Sequence, residues 1–117
     1  MSMVAKPVIV VATDSKGQVL NQILFGIEEE QVAFKVEPTV RENTIASAYQ
    51  AAISSHFGVG IAFDEKHAIL HFKGFPENEP LFIVSVDDNE SLMNLGINAA
   101  RLVKGIPFKN LKKGGDL

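Results

Sequence analysis

The side chains that could do chemistry are few and poorly arranged for catalysis. The sequence has three histidines, His56, His67 and His71, and no cysteine. A separation of four residues would let His67 and His71 share a zinc ion on a helix, but on a strand it places them about 13 Å apart. We therefore interpret both as structural residues at the edge of a strand. The lack of cysteine excludes disulfides, a thiolate zinc site and a cysteine nucleophile, and no serine lies in a Gly-x-Ser-x-Gly nucleophile elbow.

Three adjacent carboxylates, Glu28, Glu29 and Glu30, are the unusual feature of the chain. They close the first predicted helix, where the negative end of the helix dipole lies, so each costs about 0.3–1 kcal/mol if it is exposed. No lysine or arginine stands three or four residues before them to compensate. Taken alone, the residues favour a solvated acidic helix end. The alternative is a set of interface carboxylates that meet an arginine or a bound Mg²⁺.

Glycine placement gives little support for a phosphate site. The segment 13–17 (Thr-Asp-Ser-Lys-Gly) follows the first predicted strand and opens a helix, which is a position where an anion can bind. It has one glycine and an acidic residue, so it matches neither a Walker A loop nor a dinucleotide fingerprint. We interpret Thr13, Asp14 and Ser15 as helix-capping side chains. Gly58 and Gly60 fall at a predicted strand and indicate close packing.

The elements that position these residues follow from the hydrophobic pattern. Continuous or alternating apolar runs predict five strands, and apolar residues at helical spacing predict three helices. The strands are 8–12, 32–37, 57–63, 68–72 and 81–86, and the helices are 16–30, a second from a cap at Asn43 or Thr44 to about 54–56, and a third from a cap at 87–89 to Gly105. The link 64–66 is too short for a crossover helix, so strands 3 and 4 should form an antiparallel hairpin. The order predicts a three-layer α/β/α domain with a mixed sheet.

Length and charge narrow the classes of function. The 117 residues are enough for a single domain over 1–117, with a disordered tail at 112–117. The net charge is −3, made of 6 Lys/Arg and 13 Asp/Glu in residues 1–100 and 5 Lys/Arg and 1 acid in residues 101–117. This basic end is much smaller than a nucleic-acid interface normally needs. No apolar run is as long as a membrane span. We expect an intracellular protein that binds neither nucleic acid nor a membrane.

Several segments together resemble one family, the small subunit of the glycerol/diol dehydratase reactivating factor. The likeness covers about residues 7–111, and its most specific part is the closing block 98–108. The segments are Gly26-Ile27-Glu28-Glu29-Glu30, Ala48-Tyr49-Gln50-Ala51-Ala52, Val59-Gly60-Ile61-Ala62, His71-Phe72-Lys73-Gly74-Phe75-Pro76 with Pro80-Leu81-Phe82, and Asn98-Ala99-Ala100-Arg101-Leu102-Val103-Lys104-Gly105-Ile106-Pro107-Phe108.

The resemblance implies a fold and a chaperone-like role. The fold is an α/β/α sandwich with a five-stranded mixed sheet whose strand 4 is antiparallel, anticodon-binding-domain-like, as in dehydratase medium subunits. The role is non-catalytic. A large Hsp70-like ATPase subunit would pair with this chain, in a complex of two large and two small subunits. The dehydratase medium subunit would displace this chain during ATP-dependent release of damaged cobalamin. The expected location is the cytoplasm, and the inside of a bacterial microcompartment stays open as an alternative.

The resemblance also implies an interface site. A carboxylate of the Gly-Ile-Glu-Glu-Glu motif is expected to reach a metal between the subunits, and Glu29 is the matching position. Glu28, Glu29 and Glu30 are the expected interface residues, and which of them makes the contact stays open. The chain is expected to hold no cofactor of its own. Mg²⁺ would be shared with the large subunit, which binds ATP or ADP.

Two alternatives remain beside this hypothesis. The chain could be a subunit of an adenosylcobalamin-dependent diol or glycerol dehydratase itself, which is less favoured because it lacks the extra N-terminal segment of medium subunits. It could also be an independent domain that binds an anion at residues 14–17. Phe63 and Tyr49 depart from the family pattern, which often has cysteine and tryptophan there, but neither touches the expected interface. Glycerol and propane-1,2-diol stay open as substrates of the dehydratase.

Overall fold

The computed structural model describes residues 8–39 and 42–110. Strands and helices alternate along the chain except where β3, β4 and β5 follow one another with no helix between them. The elements are β1 (Ile9–Ala12), α1 (Gln18–Glu29), β2 (Phe34–Glu37), α2 (Thr44–Ser54), β3 (Val59–Phe63), β4 (His67–Phe72), β5 (Phe82–Ser85) and α3 (Asn89–Lys104). The predicted disordered tail, residues 112–117, lies outside the described residues.

The five strands form one mixed sheet in the order β2-β1-β3-β4-β5. β1 is parallel to both of its neighbours, β2 and β3, and β4 is antiparallel to both β3 and β5. In the centre, Ile9 lies beside Phe34 on one side and Val59 on the other. The predicted five-stranded sheet with an antiparallel strand 4 is therefore confirmed, including the β3–β4 hairpin.

One hydrophobic layer lies on each face of the sheet, and together the two layers bury β1 on both sides. Ile9 and Val11 pack with side chains of α1 and α3, and Val10 and Ala12 pack with α2. All four residues of β1 are buried. A continuous apolar run is the pattern expected of a strand covered on both faces.

Glycines permit unusually close contacts between the layers. A Cβ atom on Gly60 would lie 2.2 Å from the backbone nitrogen of Ala52 in α2. A Cβ on Gly26 would lie 2.0 Å from the carbonyl oxygen of Met93, and one on Gly96 would lie 2.1 Å from that of Ile23. Gly60 thus serves close packing, as the sequence indicates, and α1 and α3 cross with their backbones nearly in contact.

The start of α1 differs from the prediction. The helix begins at Gln18, after Gly17 (φ 136°), and no side chain caps it. The Thr13 hydroxyl instead accepts a hydrogen bond from the Ser15 backbone (2.9 Å), and Asp14 accepts one from the Thr39 backbone (3.3 Å). These side chains stabilise the loop, so their assignment as caps was wrong. The predicted N-terminal ends of the other two helices are confirmed, with Asn43 capping α2 and Asp88 capping α3.

His71 is also not where the sequence placed it. It is fully buried, because β4 lies inside the sheet and not at its edge. Its Nε2 lies 2.8 Å from the Glu77 carbonyl oxygen, and its Nδ1 accepts from the Phe72 backbone at 2.8 Å. The Tyr49 ring packs against it with its centroid 5.1 Å away. His71 therefore ties the 73–80 loop to the sheet, whereas His67 is exposed.

The α2–β3 contact can be tested directly. We expect Gly60→Ala to lower the free energy of unfolding by about 1–3 kcal/mol or more, because the added methyl meets the backbone of α2, which can only shift as a whole. Chemical denaturation followed by circular dichroism measures the change. Ser54→Ala, at an exposed position of the same helix, is the control and should stay within about 0.5 kcal/mol of the unchanged chain. An unchanged stability for Gly60→Ala would contradict the close contact.

Candidate subunit interface

The three consecutive glutamates at the end of α1 have different surroundings. Glu30 follows the last helical residue and turns towards α3. Its Oε1 lies 2.9 Å from Lys104 Nζ, and its Oε2 lies 3.3 Å from the Arg101 guanidinium. Its side chain keeps only 14% of its exposure. The hydrogen bond from Lys104 lowers the pKa of the Glu30 carboxyl, and Arg101 adds to this against the opposing effect of burial.

This geometry corrects one expectation. The sequence favoured a solvated acidic helix end, with interface carboxylates as the alternative, but Glu30 is paired within the chain with Arg101 and Lys104. Its partners are 71 and 74 residues away, so a search for basic residues within one helical turn could not find them. Whether Glu30 also contacts another subunit stays a prediction.

Glu28 and Glu29 are both exposed. Within residues 8–39 and 42–110, no salt bridge joins either of them to a basic side chain. The last turn of α1 contains no basic residue, so the negative end of the helix dipole adds to their charge. These two carboxylates are the ones available to a partner or a cation. The structure leaves the assignment of Glu29 as the metal residue a prediction.

A shallow pocket lies beside these two carboxylates, lined by Phe25, Glu28, Glu29 and Met93. We call it the α1–α3 groove. Phe25 is half exposed, at 49%, and Met93 comes from the first turns of α3. The one signal in the sequence that Phe25 faces outwards is its absence from the apolar residues at helical spacing in this helix, which are Val19, Leu20, Ile23, Leu24 and Ile27.

The groove cannot complete a metal site alone. Among the described residues no group of three or more His, Cys, Asp or Glu side chains is close enough to hold an ion. Mg²⁺ takes six oxygen ligands in near-ideal octahedral geometry. Glu28 and Glu29 could supply two of them at most. Any Mg²⁺ bound here would need its other ligands from water or from a second chain.

The loop proposed as an anion site borders a different cavity. This cavity, of about 620 Å³, lies beyond the carboxyl ends of β1 and β3 and is lined by residues 15–20, 63–67 and Val86. Lys16 and Lys66 face it, but so do Asp64 and Glu65. Burial raises the pKa of Asp64, yet hydrogen bonds from the Thr44 hydroxyl and from the backbone of Lys66 and His67 lower it overall. Asp64 thus fixes the β3–β4 turn to α2, and anion binding stays a prediction.

The closing block, residues 98–108, which carries much of the family resemblance, also makes contacts that stabilise the fold of this chain. Asn98 is fully buried, and its side chain makes two hydrogen bonds with the Lys109 backbone, at 2.6 and 2.9 Å. Arg101 and Lys104 hold Glu30. Gly105 ends α3 in the left-handed conformation, as predicted. The block therefore fixes the end of α1 and the returning chain against α3.

Comparison with known proteins decides the family. The model of the dehydratase medium subunit matches residues 6–109. The chain belongs to this family. Within it, the chain belongs with the small subunits of the dehydratase-reactivating factors, since its curated relatives carry that name.

Two of those relatives cover most of the chain. The propanediol dehydratase-reactivating factor small subunit of Salmonella typhimurium is 38% identical over 92% of this chain and 93% of its own length. The diol dehydratase-reactivating factor small subunit of Klebsiella michiganensis is 44% identical over 77% of this chain and 73% of its own.

Two solved structures share the fold. The diol dehydratase-reactivating factor complexed with ADP and Mg²⁺ contains a chain that superposes with a TM-score of 0.82 at 38% identity, covering 92% of this chain and 100% of that one. A glycerol dehydratase reactivase chain superposes with a TM-score of 0.80 at 26% identity, covering 91% of this chain and 98% of that one.

Within residues 8–39 and 42–110, no helix is long and apolar enough to span a membrane.

The pairing of Glu30 predicts a specific pH dependence of stability. The lowered pKa means that the ion pairs stabilise the fold above the ordinary carboxyl value of 4.5, and that this stability is lost as the pH falls through the pKa of the folded state. We expect Glu30→Gln to lower the free energy of unfolding by roughly 0.2–1 kcal/mol at pH 7. This difference from the unchanged chain should disappear as the pH falls through the pKa of the folded Glu30 carboxyl. Glu29→Gln is the control, because the Glu29 carboxylate has no such partners among the residues that the structure describes, and its stability should not fall. A constant difference at all pH values would contradict the pairing.

Proposed function

We propose that this chain is the small subunit of a glycerol/diol dehydratase reactivating factor and that it is not catalytic. In this proposal it pairs with a large Hsp70-like ATPase subunit, as two large and two small subunits. The medium subunit of the dehydratase displaces it during ATP-dependent release of damaged cobalamin, so that intact adenosylcobalamin can bind. We place this activity in the cytoplasm.

One observation carries the proposal. The chain matches the family model of the dehydratase medium subunit along residues 6–109, while its curated relatives are reactivating-factor small subunits. Two chains of the same family can present similar surfaces to one partner. A small subunit built on the fold of the dehydratase subunit is suited to occupy the same docking site on the large subunit and to be exchanged for it.

Nucleotides can direct this exchange only through a difference in affinity. ATP or ADP on the large subunit shifts the equilibrium between the two partners by as much as the two nucleotide states differ in how well they bind each one. The small subunit then needs no chemistry of its own. Its part in the cycle is to bind one state of the large subunit and to be released from the other.

Glu29 is the residue we assign to the metal at this interface. It is exposed at the end of α1 and has no ion-pair partner within the described chain. A solved reactivating factor of the same fold is a complex with ADP and Mg²⁺, which supports Mg²⁺ in such an assembly. With the large subunit supplying further ligands, Glu29 would contribute one carboxylate oxygen to the ion.

The exchange can be measured with purified components. We expect this chain to co-purify with the large subunit, to show no ATP hydrolysis alone, and to be released when the dehydratase medium subunit is added with ATP. Size-exclusion chromatography follows the exchange, and recovery of diol or glycerol dehydration by the inactivated holoenzyme follows the function. Equal recovery of that holoenzyme with the large subunit alone would contradict the proposal.

A second function is favoured by the name of the family model itself. The chain could be a medium subunit of an adenosylcobalamin-dependent dehydratase. In that case it would assemble stably with the other dehydratase subunits and give a complex with the absorbance of bound cobalamin. The curated relatives, which are reactivating-factor subunits matched over most of their length, favour the first function.

The role of Glu29 has its own test. We expect Glu29→Gln to weaken Mg²⁺-dependent binding to the large subunit about tenfold or more, because the neutral amide is a poor ligand for a hard cation. The isolated variant should be as stable as the unchanged chain or slightly more so, since a charge is removed from the negative helix end. Glu28→Gln is the matched control and should affect binding less. If both variants bind as tightly as the unchanged chain in Mg²⁺, the assignment is wrong.

A further inference from the structure

The apolar part of the α1–α3 groove has no explanation within the fold. Phe25 keeps 49% of its exposure in the middle of a helix whose other large apolar residues are covered. It lies four residues before Glu29 and three before Glu28, so the three side chains share one face of α1. Met93 of α3 lies in the same pocket. The groove therefore combines an aromatic ring, a flexible thioether and two carboxylates.

This combination is typical of a protein contact. Aromatic side chains dominate the binding energy at interfaces when they enter a desolvated pocket, and methionine adapts to irregular surfaces. The contact of Gly26 with Met93 and of Gly96 with Ile23 fixes the two helices against each other. Phe25 and Met93 are thus held on a rigid support, so little backbone ordering would be lost on binding.

Charge indicates which partner fits. Glu30 is neutralised by Arg101 and Lys104, but Glu28 and Glu29 have no such partners among the described residues. The groove is an apolar centre beside negative charge, and its complement is an apolar socket beside a cation. A second copy of this chain would bring the same two carboxylates to the same place if it docked groove to groove, and the like charges would oppose that contact.

We propose that Phe25, supported by Met93, is the apolar anchor of the contact with the large subunit, next to the carboxylate that reaches the metal. This inference rests on the proposed function. It adds that the ring of Phe25 contributes more to the affinity than Glu29 does, and that this contribution is independent of Mg²⁺. Glu29 and the metal then supply orientation and selectivity, while Phe25 supplies affinity.

The chain offers a matched control for the test. Phe57 is also 49% exposed, and it lies in the link between β3 and α2, the helix that packs on the other face of the sheet. We expect Phe25→Ala to weaken binding to the purified large subunit by about 30-fold or more, the loss typical of a central interface aromatic. Met93→Ala should weaken it less. Phe57→Ala should change it by less than threefold, and thermal unfolding checks that every variant remains folded.

Repeating the titrations in EDTA separates the anchor from the metal. The effect of Phe25→Ala should persist without Mg²⁺, whereas that of Glu29→Gln should disappear. Binding of Phe25→Ala within threefold of the unchanged chain, equal losses for the two phenylalanine variants, or a Phe25-dependent dimer of this chain in sedimentation would each overturn the inference. If the unchanged chain does not bind the large subunit at all, the proposed function fails instead.

Discussion

The close crossing of α1 and α3 is the constraint on which the candidate interface depends. Gly26 and Gly96 bring the two backbones so near that neither position can hold a Cβ without a shift of the facing helix. At the end of the crossing, Glu30 joins Arg101 and Lys104. Backbone contact sets the distance between the helices, and the ion pairs join the end of α1 to the last turn of α3. Phe25, Glu28 and Glu29 are presented outwards as a result.

Within the acidic helix end, one carboxylate stabilises the fold and two remain available for binding. Three carboxylates at the negative end of a helix are unfavourable together, and the chain compensates only one of them. Glu30 is turned inwards and paired, so it contributes to the fold. In the isolated chain, Glu28 and Glu29 still interact unfavourably with the negative end of the helix dipole. A cation supplied by a partner can relieve this repulsion. Uncompensated charge at a surface is a common feature of sites that are completed by a partner, because affinity there is gained at the expense of stability.

The sequence predicted the sheet well, because its signals are local. Continuous apolar strands, a three-residue hairpin link and the capping segments 43–44 and 87–89 depend on neighbouring residues, and each is confirmed. The structure places the two caps at Asn43 and Asp88. The errors concern residues whose roles depend on distant ones. The pairing of Glu30 with Arg101, the burial of His71 against Tyr49, and the hydrogen bond from the Thr39 backbone to Asp14 follow from tertiary contacts that no local spacing encodes. Phe25 was visible only as a residue missing from the apolar stripe.

An exchangeable subunit must bind tightly enough to occupy its site and still be released, and the two parts of the proposed interface suit these needs differently. A ring in an apolar socket gains affinity roughly in proportion to the area it buries, and it tolerates small displacements. A shared Mg²⁺ tolerates very little displacement of its ligands, because they must lie at 2.0–2.1 Å in octahedral geometry. A small rearrangement of the large subunit would then break the metal contact first and leave the ring in place. In the proposed exchange, such a contact would lose only part of its affinity between nucleotide states, and a competitor of the same fold would then be able to take over the site.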